Sequence, residues 1–285
     1  MRLVTYTRDG ETTTGALADD AHVVDLHRAD PAIPDGMLAL LAGGAAMLDR
    51  ARAAIASAGA RIPLAAVTLK APIARSGKVL AIGLNYRDHA LESNQELPKR
   101  PVVFAKATTC ITGPGAPVHR PRVSGALDWE GELCFVIGRS ARHVAAGDAM
   151  AYVAGFTIGN DISVRDWQFH SPTWMMGKSF DTHGPIGPWL VTRDEVNAED
   201  LGVRTYVNGE LKQESNTGQL IFGIGAIIAY LSTAFTLEPG DVVFTGTPAG
   251  VGVARKPPQF LKAGDVVRVE IDGLGALENP VIDEP

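Results

Sequence analysis

The chain has 285 residues, of which 46% are hydrophobic, and a formal net charge of −6 at pH 7. A chain of this length can bury a full core, as one large domain or as one domain with a small appendage. Nucleic-acid binding needs a basic footprint, and the acidic balance and the lack of a Lys/Arg cluster with interleaved aromatics exclude that class.

The N-terminal stretch, residues 1 to about 70, is predicted to be a small α/β domain. RLVTYTR and HVVDL are strand-like, and Asp9-Gly10 between them marks a turn. An Ala/Leu-rich segment from 37 to 58 has helical character despite Gly43-Gly44. No residue of this part carries chemistry, so it is predicted to be a structural appendage or part of a subunit contact, and residues 71–285 are predicted to form the main domain.

The N-terminus lacks the apolar core of a signal peptide. Cys110 and Cys134 have no CxxC spacing, so neither a disulfide framework nor a zinc knuckle is indicated. We therefore expect a cytoplasmic protein.

The segment KVLAIGLN predicts a buried strand that ends at Asn85, a suitable N-cap for a helix beginning YRDHALES. On that helix, His89 and Glu92 stand at i and i+3, where a carboxylate can orient an imidazole and raise its basicity. An exposed surface pair is the more common outcome of this spacing.

The central stretch DWEGELCFVIG, residues 128 to 138, predicts a strand with Glu130 and Glu132 on one face, because strand side chains alternate. Same-face neighbours lie roughly 6.5–7 Å apart, so both carboxylates can reach one cation. The alternative is a solvated strand edge with two surface acids. A third ligand is needed to decide between them.

The apolar segment YVAGFTIGNDIS predicts a buried strand that ends near Asp161. Asp161 suits a helix N-cap, and Arg165 and Gln168 follow at i+4 and i+7 on one side of the predicted helix. Farther along, Trp174, Met175 and Met176 could form an apolar wall for a substrate or pack in the core.

Three nucleotide- or ester-directed motifs are excluded. Gly177-Lys178-Ser179 is not a phosphate loop, because position 172 is Pro where Gly is required. Neither a complete dinucleotide fingerprint nor a G-x-S-x-G elbow occurs. The last third predicts β-hairpins, with Thr247 in an irregular TGTPAGVG loop. The uncharged residues 220 to 237 are long enough for a membrane span, but their glycines and the following Glu-Pro-Gly turn favour a buried helix.

The ordered set Glu130-x-Glu132, Asp161, Gly177-Lys178-Ser179 and Thr245-Gly246-Thr247-Pro248 resembles the fumarylacetoacetate hydrolase family, in particular its shorter bacterial-type members. The resemblance runs from about Lys78 to Gly275. It implies a mainly β fold with short helices, a mixed β-roll or β-sandwich, and a homodimer. It also implies that Glu130, Glu132 and Asp161 bind Mg²⁺ or Mn²⁺, and an all-carboxylate set is what a hard cation prefers.

The same resemblance implies roles for the remaining candidates. It gives a catalytic role to His89, Glu92 and Lys178, the first two on a lid helix, and a substrate-binding role to Arg165, Gln168 and Thr247. The implied reaction is hydrolytic C–C cleavage of an acylpyruvate, a 2,4-dioxo acid, with release of pyruvate. Decarboxylation of oxaloacetate and isomerisation of an unsaturated oxo diacid are alternatives on the same site. A non-catalytic metal-dependent binding protein would keep the acids but gain nothing from His89 and Glu92.

Overall fold

The computed structural model describes residues 1–92 and 94–285. Most regular structure in this part is strand, with short helices, which confirms the expected fold class. The strands are Arg2–Arg8 (β1), Glu11–Leu17 (β2), His22–Asp25 (β3), Ile62–Pro63 (β4), Thr68–Lys70 (β5), Val79–Gly83 (β6), Val102–Lys106 (β7), Ile111–Thr112 (β8), Val118–Arg120 (β9), Leu127–Asp128 (β10), Gly131–Ile137 (β11), Val153–Asn160 (β12), Ser163–Val164 (β13), Gly184–Thr192 (β14), Gly202–Val207 (β15), Glu210–Asn216 (β16), Val242–Phe244 (β17), Val266–Ile271 (β18) and Gly275–Asp283 (β19).

The helices are short. The α-helices are Leu26–Ala29 (α1), Met37–Ala42 (α2), Gly44–Ser57 (α3), Arg87–Glu92 (α4), Arg165–Gln168 (α5), Met175–Lys178 (α6) and Ile224–Ala234 (α7). Single 3₁₀ turns span Leu64–Ala66, Thr108–Cys110, Thr217–Gln219 and Gly252–Ala254, and a longer one spans Ala146–Tyr152.

Two mixed sheets organise the molecule. The larger has 12 strands with the main order β4-β3-β2-β1-β14-β12-β11-β17-β6-β7, while β5 pairs with β1 and β8 with β14. The smaller has five strands in the order β16-β15-β18-β19-β9. One apolar core combines residues of β11 and β12 with residues of β15, β18 and α7, so the smaller sheet and α7 cover one face of the larger. This packing is the roll or sandwich that was expected.

Strand β11 lies inside the larger sheet, between β12 and β17, and its side chains show the predicted alternation. Leu133, Phe135 and Ile137 enter the core beneath the smaller sheet, whereas Cys134 and Val136 enter a second core on the opposite face. Full burial of one such side chain stabilises the fold by roughly 1.5–3 kcal/mol. The strand therefore has little freedom to shift its register, because a one-residue slip would exchange its two faces.

The N-terminal part shares the larger sheet with the rest of the chain, because β1 pairs with β14 in the register Leu3↔Leu190. The predicted turn at Asp9-Gly10 is present, but the strand that follows it and pairs with β1 is β2, which was not predicted, and HVVD forms β3 on the far side of β2. The predicted single helix from 37 to 58 is two helices, since Gly44 takes a left-handed φ of 62° and breaks the run. The domain division at residue 70 stays a prediction.

The uncharged stretch at 220 to 237 contains α7, whose inner face is buried in the main core. Among the described residues, no helix is both long and apolar enough to cross a membrane.

Candidate active site

Three carboxylates meet at one end of the paired strands β11 and β12. Glu130 precedes β11 and Glu132 lies within it, while Asp161 directly follows β12. The antiparallel register Gly131↔Asn160 brings the start of one strand beside the end of the other. One oxygen from each carboxylate lies within 4.8 Å of the others, and all three residues are buried. The solvated-edge interpretation of Glu130 and Glu132 is therefore wrong.

Two buried lysines hold two of these carboxylates. Lys178 Nζ donates to Glu130 Oε2 at 2.7 Å and to Asp161 Oδ2 at 2.8 Å. Lys106 Nζ donates to Asp161 Oδ1 at 2.5 Å and also contacts the carbonyl oxygens of Lys178 and His183. Lys106 is not among the site residues predicted from the sequence. A single lysine in the otherwise apolar strand VVFAK was the available signal, because a buried ammonium needs an anionic partner.

Arg165 is the third buried cation that contacts these carboxylates. Its Nε donates to Asp128 Oδ2 at 2.8 Å, and its Nη1 reaches Glu130 Oε1 at 2.6 Å and Gln168 Oε1 at 2.9 Å. Asp128 also accepts from three backbone N–H groups, so it orients Arg165 and has little capacity left for a ligand. Arg165 Nη2 is buried and has no partner among the described residues. It is thus a free donor close to the triad.

The helix predicted to run from Asp161 to Gln168 begins later than predicted. Residues 163 and 164 form β13, which pairs with β10, and the helix begins only at Arg165. Asp161 does not cap it, because both carboxylate oxygens are bound by lysines. Arg165 and Gln168 still lie together, since the short helix places them at i and i+3.

Glu132 is the carboxylate without a cationic partner. Among the residues that the structure describes, its Oε2 accepts only the Gly246 N–H, at 2.7 Å. Burial and the repulsion of Asp161 and Glu130 raise the pKa of Glu132 well above its usual range. Glu130 is the opposite case: burial would raise its pKa, but Lys178 and Arg165 outweigh burial and lower it to about 2.

The donor set fits a divalent cation. Within the described part of the chain, four buried carboxylates, those of the triad and of Asp128, face three buried cations, namely Lys106, Lys178 and Arg165, so one negative charge lacks compensation there. All three triad donors are oxygens, which is the chemistry that Mg²⁺ and Mn²⁺ prefer.

His89 lines the same cleft as the triad. Its Nδ1 lies 3.2 Å from Glu92 Oε2, and the side chain is only 13% exposed. Glu92 in turn accepts the Gly250 N–H at 2.9 and 3.1 Å, so helix α4 is tied to the TGTPAGVG loop. The geometry leaves Nε2 of His89 for the cleft. The catalytic role of the pair stays a prediction.

Asn85 does not cap α4 as predicted. Its amide bridges two distant segments, donating to the carbonyl oxygens of Phe222 and Thr245 and accepting the Phe222 N–H. Thr247 also lines the cleft, but its hydroxyl donates to Gly131 O at 3.0 Å and accepts from Gln213 at 2.8 Å. Its substrate-binding role stays a prediction.

Only one of the three residues predicted to form an apolar wall lines the cleft. The cleft has a volume of about 50 Å³, and Trp174 is part of its lining. Met175 and Met176 are 40% and 55% exposed and do not line it. The apolar lining comes instead from Ile82, Leu84, Phe104 and Trp174.

Behind the site, His183 is a fully buried imidazole. Its Nε2 donates to His119 O at 2.7 Å, and its Nδ1 has no partner in the part of the chain that the structure describes. Burial, with a smaller contribution from the Lys106 ammonium, lowers the pKa of His183 to about 3. The unfolded chain therefore takes up a proton near pH 6.5 that the folded chain does not.

We expect this difference to make the fold acid-sensitive. Stability falls as pH drops below 6.5, with a contribution from His183 of up to about 1.4 kcal/mol per pH unit. Urea unfolding at pH 6 and pH 5 should therefore show a smaller loss for His183→Phe than for the wild type. His143→Asn, at an exposed histidine, is the control and should keep the wild-type loss. An unchanged loss in His183→Phe would contradict the prediction.

Comparisons with known proteins agree with this geometry. Residues 78–282 match the family model described as the fumarylacetoacetate hydrolase C-terminal domain. A mitochondrial oxaloacetate tautomerase of Xenopus laevis is 47% identical over 269 residues, covering 93% of this chain and 84% of that protein. A fumarylacetoacetate hydrolase from Exiguobacterium antarcticum is similar in structure, with a TM-score of 0.87, 36% identity and full coverage of both chains. So is a 5-carboxymethyl-2-hydroxymuconate delta-isomerase from Mycobacterium smegmatis, with a TM-score of 0.81, 34% identity and full coverage of both chains.

Proposed function

The chain belongs to the fumarylacetoacetate hydrolase family, and from that premise we propose that it is a metal-dependent tautomerase of a small 2-oxo diacid, with oxaloacetate as the first candidate. Relatives named oxaloacetate tautomerase and delta-isomerase support proton transfer next to a 2-oxo group over C–C hydrolysis, the reaction that we expected first. A homodimer and a cytoplasmic location stay predictions.

One observation carries the proposal. The acidic triad, Arg165 and His89 line a single cleft of about 50 Å³. This arrangement offers an anion-binding donor, a candidate base and a cation site to one small molecule. A short diacid uses all three, because its carboxylate, its 2-oxo group and its acidic C3–H lie on neighbouring atoms.

A divalent cation held by Glu130, Glu132 and Asp161 would supply Lewis acidity at the 2-oxo oxygen. Arg165 would bind the substrate carboxylate through its free Nη2. In the keto-to-enol direction, His89, oriented by Glu92, would take the proton from C3, and the enolate oxygen would gain a proton from water. In the enol-to-keto direction, the enol hydroxyl would lose its proton to water and protonated His89 would return a proton to C3. The Lys178 ammonium would stabilise the negative charge that develops on the 2-oxo oxygen of the substrate. Such an electrostatic effect is worth a few kcal/mol per donor.

Acylpyruvate hydrolysis is the second candidate function. The observation that favours it is the His89–Glu92 pair, fixed by the Gly250 N–H, because such a pair can activate water as readily as it can move a proton from carbon. Decarboxylation of oxaloacetate would use the same cleft without needing a base.

We expect the protein with Mg²⁺ or Mn²⁺ to accelerate the conversion of enol-oxaloacetate to the keto form, measured by the loss of enol absorbance. Chelator should remove the acceleration and added metal should restore it, since the triad carries an uncompensated charge without a cation. Pyruvate release from oxaloacetate and from acylpyruvates, measured in parallel, separates the alternatives. Pyruvate release at a rate equal to or above that of enol loss would overturn the tautomerase assignment.

A further inference from the structure

Trp174 has an unusual backbone for a bulky residue. Its φ of 59° and ψ of −14° lie in the left-handed region, which favours glycine and is a genuine outlier for a large side chain. Such conformations persist only where the surroundings impose them, and they cluster at ligand sites. The conformation places Trp174 at the start of α6, the helix that also carries Lys178.

Two neighbours hold the indole over the cleft. Phe104 contacts it edge-on, with ring centroids 5.6 Å apart. Gly83, at the end of β6, lies against another part of the ring and leaves room for it because it has no side chain. A Cβ at position 83 would lie 3.0 Å from Trp174 Cη2 and closer still to Cζ3. Contacts this short are almost never found for a real Cβ, so only glycine accommodates the indole where it lies.

The indole limits the room above the triad. Trp174 lines the same cleft as Glu130, Glu132 and Asp161, so its ring borders the space above the carboxylates. Trp174 is only partly buried, so its ring also borders solvent. Trp174 is therefore placed to contact the tail of a substrate that is bound at the carboxylates by its carboxylate and 2-oxo group.

We infer that the Trp174 indole, seated on Gly83 and Phe104, restricts the site to short 2-oxo diacids and excludes 2,4-dioxo acids with long alkyl tails. The inference rests on the proposed function for the identity of the substrate head group. A hydrophobic wall of this kind discriminates by roughly tenfold or more for each methylene it excludes.

The test compares kcat/KM for the enol–keto conversion of oxaloacetate, acetylpyruvate and hexanoylpyruvate with metal-loaded protein. Trp174→Ala should raise the hexanoylpyruvate-to-oxaloacetate ratio by at least about tenfold. Trp167→Ala is the matched control, because this ring lies on the same segment but packs edge-on against Phe180 and does not line the cleft. It should leave the ratio unchanged.

A second variant tests the contact between Gly83 and the Trp174 indole. Gly83→Ala should lower kcat/KM for oxaloacetate by about tenfold when Trp174 is present, because the new methyl group displaces the ring, and have little effect in the Trp174→Ala background. Thermal unfolding of each variant shows whether the protein is folded. An unchanged substrate ratio in a folded, active Trp174→Ala variant would overturn the inference.

Failure of the proposed function gives a different result. If the wild type converts none of the three compounds, the tautomerase assignment fails, and thermal stabilisation by the same compounds then measures the size limit directly. A stabilisation by hexanoylpyruvate that Trp174→Ala shows and the wild type lacks supports the inference. Equal stabilisation of both proteins overturns it.

Discussion

Glu132→Gln should abolish activity and metal binding without destabilising the metal-free fold. Glu132 is the triad carboxylate that no cation compensates, and it keeps the Gly246 N–H contact when its charge is removed, because the amide oxygen can still accept. We expect at least a 10³-fold loss of kcat/KM, a magnitude of about 4 kcal/mol. Above the raised pKa of Glu132, the metal-free free energy of unfolding should rise by about 1 kcal/mol or more.

Asp161→Asn removes the same charge with the opposite effect on stability. Asp161 binds both Lys106 and Lys178, and breaking buried pairs of this kind costs about 3–5 kcal/mol. Activity and metal affinity should fall in both variants, but the free energy of unfolding should fall only in Asp161→Asn.

Calorimetric titration with Mn²⁺ and urea unfolding in chelator measure the two quantities separately. Glu199→Gln, at an exposed carboxylate, is the control and should change neither. In the wild type, metal affinity should weaken as pH falls, because protons compete for Glu132 at its raised pKa. Wild-type metal affinity in Glu132→Gln would remove this residue from the site.

His89→Ala should lower the rate of enol–keto conversion by roughly 10²–10⁴-fold, the usual contribution of a positioned acid or base. KM should change much less, since His89 has no part in carboxylate binding in the proposed mechanism. Glu92→Gln should be milder, because the imidazole stays in place but loses the charge that supports its basicity.

The three candidate reactions respond differently to these variants. Tautomerisation and acylpyruvate hydrolysis both need the base and should be lost in His89→Ala. Oxaloacetate decarboxylation should survive, because it needs only charge stabilisation at the oxygen. Intact tautomerisation in His89→Ala would leave the His89–Glu92 pair with only a structural role, that of tying α4 to the TGTPAGVG loop.

Much of the site could be predicted from the sequence. The period of two in DWEGELCFVIG places Glu130 and Glu132 on one face, and the end of the next buried strand supplies Asp161. The Asp9-Gly10 turn and the buried helix near 224 to 234 are local patterns as well. Such features depend on residues a few positions apart, so the sequence determines them by itself.

The tertiary structure decided the rest. Lys106 binds Asp161 from 55 positions away, and Asn85 bridges to Thr245 across 160. The parallel pairing of β6 with β17 brings Asn85 close to Thr245. Lys106 ends β7 and Asp161 follows β12, and these two strands are not neighbours in the sheet. No local periodicity contains either contact. Strand pairing also interrupts the predicted helix after Asp161, because β13 pairs with β10. Likewise, Trp174 lines the cleft while Met175 and Met176 face outward, since the contacts with Gly83 and Phe104 depend on how β6 and β7 pack against α6 and the residue before it.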